Sequence, residues 1–158
     1  MAVQATPSRD FTSWVEPHLP VLRRYAARLV SPADADDVVQ EALVRAWRRW
    51  STYDEQRGAP LPWLLAIVAD RARRHRLHAN RYASAAAVAV PAAPRDLDLE
   101  RALGRLSERQ RQAVDLYYFV DLDVATVAEL MGCAEGTVRA TLHQARARLR
   151  ELIGGDDA

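Results

Sequence analysis

The stretch from Asp121 to Leu152 constrains this chain most, because it reads as a short helix, a tight turn and a longer basic helix. Asp123 suits the N-cap of the first helix, its carboxylate accepting from orphan amides one turn on, and Gly132 suits the left-handed residue that ends it after Met131. The second helix restarts near Glu135. In it Val138, Leu142, Ala145, Leu149 and Leu152 recur at steps of four and three and so share one apolar face. Arg139, Ala140, His143, Gln144 and Ala147 fall opposite, with Arg146, Arg148 and Arg150 beyond. A small or polar face near a helix N-terminus, followed by arginines, is the layout needed to enter a DNA major groove and meet its phosphates. An ordinary two-helix corner in a bundle has the same periodicity, so the rest of the chain must decide.

The 158 residues are 49% hydrophobic and carry a net charge of +1, which suits one ordinary domain or two small ones and excludes a polycation. Nucleic-acid contacts must then come from local clustering. All 22 basic residues are arginine, as GC-rich codons would give. The single cysteine, Cys133, excludes an internal disulfide and fits a reducing cytoplasm. Residues 1–13 mix Arg9 and Asp10 with polar residues, and no apolar run approaches spanning length, so neither a secretory signal nor membrane insertion is expected.

In chain order, residues 1–10 read as a frayed terminus. Trp14, Val15, Leu22, Tyr25, Ala26 and Leu29 mark a first helical segment that restarts at Pro20. Ser31-Pro32-Ala33-Asp34 is a helix start, with serine as cap and proline at the first position. The helix predicted over 33–50 turns Val38, Val39, Ala42, Leu43, Ala46 and Trp50 inward. Its other side carries Asp37, Gln40, Glu41, Val44, Arg45 and Arg48, either a solvated face or a docking surface for a protein partner.

A loop from Ser51 to Pro62, bracketed by Tyr53 and Trp63, precedes a helix that Pro62 can start. Leu64, Leu65, Val68 and Ala72 form its core face, while Arg71, Arg73, Arg74, Arg76 and Arg81 stand against the lone Asp70. A basic helix behind an aromatic-flanked loop is what single-strand binding uses, although a basic run alone is also an ordinary solvated face. Trp63 shares a stripe with Ile67, Asp70 and Arg74, and is either a core lid or the wall of a base pocket. His75 and His78 have metal-like spacing without a cysteine or carboxylate on their face, so no metal or cofactor is expected.

Residues 83–95 hold two prolines, no charge before Arg95 and no helical stripe, and read as a flexible linker. Asp96 then caps a helix with Leu99, Leu103 and Leu106, and Ser107 with Gln110 can form a capping box ahead of Val114, Leu116, Tyr117 and Tyr118. The expected fold is all-α, with a helical bundle over 11–82 and a helix-turn-helix domain over 96–153.

The order of these parts resembles the sigma-70 family of bacterial transcription initiation factors, in particular its small two-domain extracytoplasmic-function (ECF) group, over residues 11–153. Residues 34–47, Asp-Ala-Asp-Asp-Val-Val-Gln-Glu-Ala-Leu-Val-Arg-Ala-Trp, are similar to region 2.1 to 2.2. That implies docking of Asp37, Gln40, Glu41 and Arg45 on the β′ clamp helices of core RNA polymerase. Tyr53 to Arg81, with its Trp63-Leu64 pair, is similar to regions 2.3 and 2.4, implying that Tyr53, Arg57, Trp63, Asp70, Arg73 and Arg74 meet the melted −10 element. Leu106 to Arg148 resembles region 4, where Gly136-Thr137-Val138-Arg139 opens the helix that reads the −35 element. Thr137, Arg139, Ala140, His143, Gln144 and Arg146 are the implied readers of promoter DNA.

The resemblance further implies contact with the β flap, an anti-sigma factor, a cytoplasmic location and no catalysis. Departures from the family pattern are Asp70 for a common asparagine, Pro60 for a common aromatic, and Ala140, Thr141 and Gln144 for serine and arginines. A carboxylate at 70 repels phosphate unless Arg73 or Arg74 pairs with it, and the promoter sequence is not carried over from relatives. The alternative is an autonomous helix-turn-helix regulator, which would leave the acidic face of the 33–50 helix without a task. An enzyme is disfavoured, since no Ser-His-Asp order, phosphate-cradling glycine loop or metal set is present.

Overall fold

A computed structural model describes residues 7–82 and 96–154, the side chains of 7–10 aside, and among them only helices and turns occur. The expected linker, 83–95, lies outside the described residues. Contacts divide the chain into Met1–Ala85 and Ala86–Ala158. No helix among the described residues is long and apolar enough to cross a membrane.

The first unit contains α1 (Pro7–Val15), α2 (Leu19–Leu29), α3 (Pro32–Arg49) and α4 (Pro60–Tyr82). The last three pack on one another pairwise. Their apolar stripes meet as the periodicity predicts: Leu22 and Tyr25 from α2, Val38 and Val39 from α3, and Leu64, Leu65 and Val68 from α4 are all buried. Burying each such side chain stabilises the unit by about 1.5 to 3 kcal/mol before chain entropy is counted.

Two helix starts and one cap differ from expectation. Helix α1 begins at Pro7, inside the segment expected to fray. Helix α4 begins at Pro60 and not at Pro62; both prolines fit its first turn, where a missing N–H leaves no intrahelical bond unmade. Ser31 does occupy the N-cap of α3, yet its hydroxyl accepts from no amide. It donates instead to Asp34 Oδ2 at 2.6 Å, while its carbonyl accepts from the Asp34 amide at 3.0 Å.

The second unit contains α5 (Leu97–Gly104), α6 (Glu108–Val114), α7 (Val124–Met131) and α8 (Glu135–Gly154), with α5, α6 and α7 all packed on α8. Asp96 caps α5 by accepting from the amides of Asp98 and Leu99. The capping box of α6 is complete, Gln110 N donating to Ser107 Oγ at 3.2 Å and Ser107 N to Gln110 Oε1 at 3.1 Å.

The helix expected to carry Val114 through Tyr118 changes character after Val114, where Asp115–Phe119 form a five-residue π-helical turn. Its wider winding, closed by Val120 N on Asp115 O at 2.9 Å, keeps Leu116 and Val120 fully buried and leaves Tyr118 exposed. Asp121 then takes a left-handed φ of 63°, a conformation that aspartate tolerates better than most residues.

Candidate nucleic-acid interface

In the second unit the site is built by the α7–α8 corner. Asp123 Oδ1 accepts from Thr126 N at 2.7 Å, and this bond, with the Thr126 hydroxyl, holds the carboxyl below the usual carboxylate range against a smaller opposing effect of burial. Gly132 ends α7 at φ 62°. A Cβ there would meet nothing within 4 Å, so it is the backbone angle that favours glycine. Cys133 N then donates to Ala128 O at 3.0 Å, and the half-buried Cys133 leads into α8.

Val138, Leu142 and Ala145 of α8 are buried, and Leu149 and Leu152 are half-buried. On the other side Thr137, Arg139, Ala140, His143, Gln144 and Arg146 are all exposed, so the six expected readers lie on one accessible face. Thr141, grouped with Ala140 and Gln144 in sequence, departs from them. Three residues after Val138, it lies on the packed side, is only 9% exposed and donates its hydroxyl to the Thr137 carbonyl at 2.8 Å.

The arginines of α8 hold local partners. Arg139 Nη2 lies 3.1 Å from Glu135 Oε2 one turn back, an exposed pair worth ~1 kcal/mol at most and easily exchanged. Arg146 Nη1 donates to the Tyr118 hydroxyl at 2.9 Å, a contact the π turn sets up and sequence periodicity does not reveal. Arg148 pairs with Glu151 at 3.1 Å, and Arg150 Nε donates to the Arg146 carbonyl at 3.3 Å.

In the first unit Asp37, Gln40 and Glu41 are exposed on α3, and Arg45 is half-buried one turn on. Gln40, Glu41 and Arg45 line one shallow groove together with Val44, Arg48, Arg49 and Arg71, while Asp37 is not part of its lining. Burial lowers the Arg45 pKa, and so do its neighbours Arg49, Arg71 and Arg74, with Asp70 opposing them. The groove is thus a cationic surface with Glu41 at its acidic end.

Around the α3–α4 loop, Tyr53 is the hinge of an aromatic cluster. Its ring centroid lies 5.0 Å from both Trp14 and Trp63, and Trp14 also meets Trp50 and Trp63 at 6.0 Å. The Tyr53 hydroxyl donates to the Gly58 carbonyl at 2.9 Å, which ties the loop down. Trp63 is half-buried in this cluster, and Arg57 stands exposed on the loop with Nε 3.7 Å from Asp54 Oδ2. Trp14 is the member of this cluster that the sequence does not place beside Tyr53 and Trp63, since periodicity puts it only on a helix stripe. The signal was there in the four tryptophans of so short a chain.

Asp70 is a hub. Arg73 Nη2 donates to its Oδ1 at 3.0 Å, and its Oδ2 faces Arg74 Nε at 3.1 Å, Arg71 Nη2 at 3.8 Å and Arg45 Nη2 at 4.0 Å. Burial pushes the Asp70 pKa up, but the Arg73 hydrogen bond and the Arg74 and Arg45 charges together outweigh it and hold the carboxyl below the usual range. The two histidines diverge. His75 Nε2 lies 3.4 Å from Asp34 Oδ2, whereas the His78 ring packs on Tyr82 at 4.8 Å.

Comparison with known proteins follows the same division. Residues 14–82 match the family model of Sigma-70 region 2, and residues 96–149 that of Sigma-70, region 4. The chain is similar to the RNA polymerase sigma-E factor of Streptomyces coelicolor, with 32% identity over 94% of this chain and 88% of the relative. It is 34% identical to the RNA polymerase sigma factor CarQ of Myxococcus xanthus over 87% of this chain and 85% of the relative. Among solved structures it is similar to the sigma factor RpoE of Bartonella quintana in complex with the anti-sigma factor NepR, with TM-score 0.70 and 29% identity, covering 92% of this chain and 98% of that one. It is also similar to CnrH in complex with the cytosolic domain of CnrY, with TM-score 0.69 and 25% identity, covering 95% and 91%.

Proposed function

The chain belongs to the sigma-70 family of RNA polymerase sigma factors, in its extracytoplasmic-function group, and from that premise we propose how its residues divide the work of starting transcription. It is an initiation factor and not an enzyme: it lends promoter recognition to core RNA polymerase, which does the chemistry. The observation that carries the division is the row of six exposed side chains on α8, opposite a buried stripe, in a unit distinct from the one that holds the α3 groove.

In this reading Asp37, Gln40, Glu41 and Arg45 of α3 dock on the β′ clamp helices. Gln40 and Glu41 offer hydrogen bonds at no cost to the core, since both are exposed. The loop and α4 then take the melted −10 strand. Tyr53 and Trp63 supply ring surface to an unstacked base, Arg57, Arg73 and Arg74 supply cations to its backbone, and together they offset the few kcal/mol that extrusion costs. The α8 face enters the −35 major groove, with Arg139 suited to guanine, Gln144 to adenine, and Thr137, Ala140 and His143 completing the surface. Arg146 meets phosphate from its Tyr118 anchor. The second unit also contacts the β flap.

Two further proposals concern setting. The RpoE relative is bound by an anti-sigma factor, which supports a like inhibitor for this chain. A cytoplasmic location follows from work on chromosomal DNA.

Core binding tests the docking face. Gln40→Ala with Glu41→Ala should leave the melting temperature unchanged and weaken affinity for purified core polymerase at least tenfold, a loss of about 1.4 kcal/mol or more. Unchanged affinity removes the docking assignment. Promoter binding by the chain without core would favour an autonomous regulator instead.

A further inference from the structure

Four guanidinium groups lie within 4.0 Å of the Asp70 carboxylate, and they come from two helices: Arg45 from α3, and Arg71, Arg73 and Arg74 from α4. One charge cannot satisfy four. Asp70 Oδ2 is sealed from solvent and receives no well-aligned N–H, although Arg74 Nε lies 3.1 Å away. Arg73 and Arg74 are the exposed pair, with 63% and 55% of their side chains accessible, so their hold on Asp70 is weak and exchangeable. Arg45 and Arg71 are far less accessible, at 29% and 20%, and Arg71 also lies 4.0 Å from Glu41.

A carboxylate bound by arginine forks has the charge and hydrogen-bonding pattern of a backbone phosphate. We infer that Asp70 is an internal stand-in for phosphate, a residue that occupies Arg73 and Arg74 and so sets how tightly this factor holds the melted strand. The inference rests on the assignment of α4 to the −10 strand and reverses the sign of one residue within it. Asp70 does not contact the strand favourably; it competes with it. Strand phosphate draws Arg73 and Arg74 outward, while Arg45 and Arg71 keep the carboxylate neutralised. The competition weakens strand binding and lowers its salt dependence, because arginines already paired release fewer counterions from DNA.

The test uses core polymerase reconstituted with the full chain and a fluorescent, mixed-sequence single-stranded DNA oligonucleotide, titrated at several salt concentrations. Asp70→Asn keeps the shape and removes the charge. Affinity should rise roughly three- to tenfold, and the slope of log affinity against log salt should steepen by roughly 0.7 for each phosphate newly engaged. The gain should vanish when Arg73 and Arg74 are both alanine in the same chain. Asp70→Asn could destabilise the unit by leaving half-buried Arg71 to the more exposed Glu41 at 4.0 Å, so Asp70→Asn with Arg71→Gln, which removes a charge of each sign, should show the same gain. Unchanged or weaker binding by both variants overturns the inference, and a drop identifies Asp70 as a residue that positions the arginines. If instead Arg73→Ala with Arg74→Ala has no effect in the otherwise natural chain, the strand assignment of α4 fails and takes the inference with it.

Discussion

Helices α4 and α8 look alike in sequence, each long, amphipathic and studded with arginine, yet the structure uses their charges in opposite ways. The arginines at the middle of α4 converge on one internal carboxylate. Those of α8 are dispersed, each paired with a neighbour on its own helix or with Tyr118 at its edge. A basic run therefore does not measure available positive charge. On α8 the face that matters is polar and open; on α4 it is already engaged, and a ligand must displace what holds it.

The α4 end of this contrast sharpens most with Trp63→Ala. Loss of a half-buried ring that touches Trp14 and Tyr53 should cost the first unit about 2 kcal/mol, below the range for a fully buried tryptophan, as read by urea denaturation. If Trp63 also walls a base pocket, open-complex formation by the residual folded protein should fall as well. Normal opening alongside the stability loss would make the ring a core lid only.

A smaller effect is expected at the start of α7. Asp123→Ala removes the cap from the helix that supports α8 and should cost about 1 kcal/mol. Because hydrogen bonding from Thr126 depresses the folded-state pKa of Asp123, its contribution is present above the ordinary carboxylate pKa and is lost as pH falls through the folded value. Asp70 has the same sign, depressed despite burial by its arginines. Both should make stability decline in the acid range below about pH 4, and Asp123→Ala should make that decline shallower. A pH profile of urea midpoints that is identical in natural and variant chains would show that the cap contributes nothing.

What was legible in sequence was local. Asp123, Gly132, Ser107 with Gln110, and Asp96 act within one helical turn of themselves, and the stripes of α3, α4 and α8 need only a period of 3.6 residues. What was not legible depends on a partner elsewhere or on a choice between near-equal local options. Arg45 reaches Asp70 only because α3 and α4 pack together, so pairing of Asp70 was foreseeable for Arg73 and Arg74 and not for Arg45. The π turn at Asp115–Phe119 shifts the register on which Tyr118 was placed, a winding that a period of 3.6 residues does not contain. Pro60 and Pro62 are both acceptable in a first turn, and Ser31 faces a carboxylate in Asp34 that competes for its hydroxyl.

The most direct measurement of the open α8 face is transcription from a promoter library randomised at the −35 element, driven by core polymerase with the natural chain or with Arg139→Ala. Arg139 is exposed and, among the described residues, pairs with the likewise exposed Glu135, so it is available to a base edge. The variant should lose preference at one or two positions, about 1 to 3 kcal/mol of discrimination, while the other positions keep theirs. A uniform fall in output with the preferred sequence unchanged would contradict base reading by Arg139 and place it on the phosphate backbone.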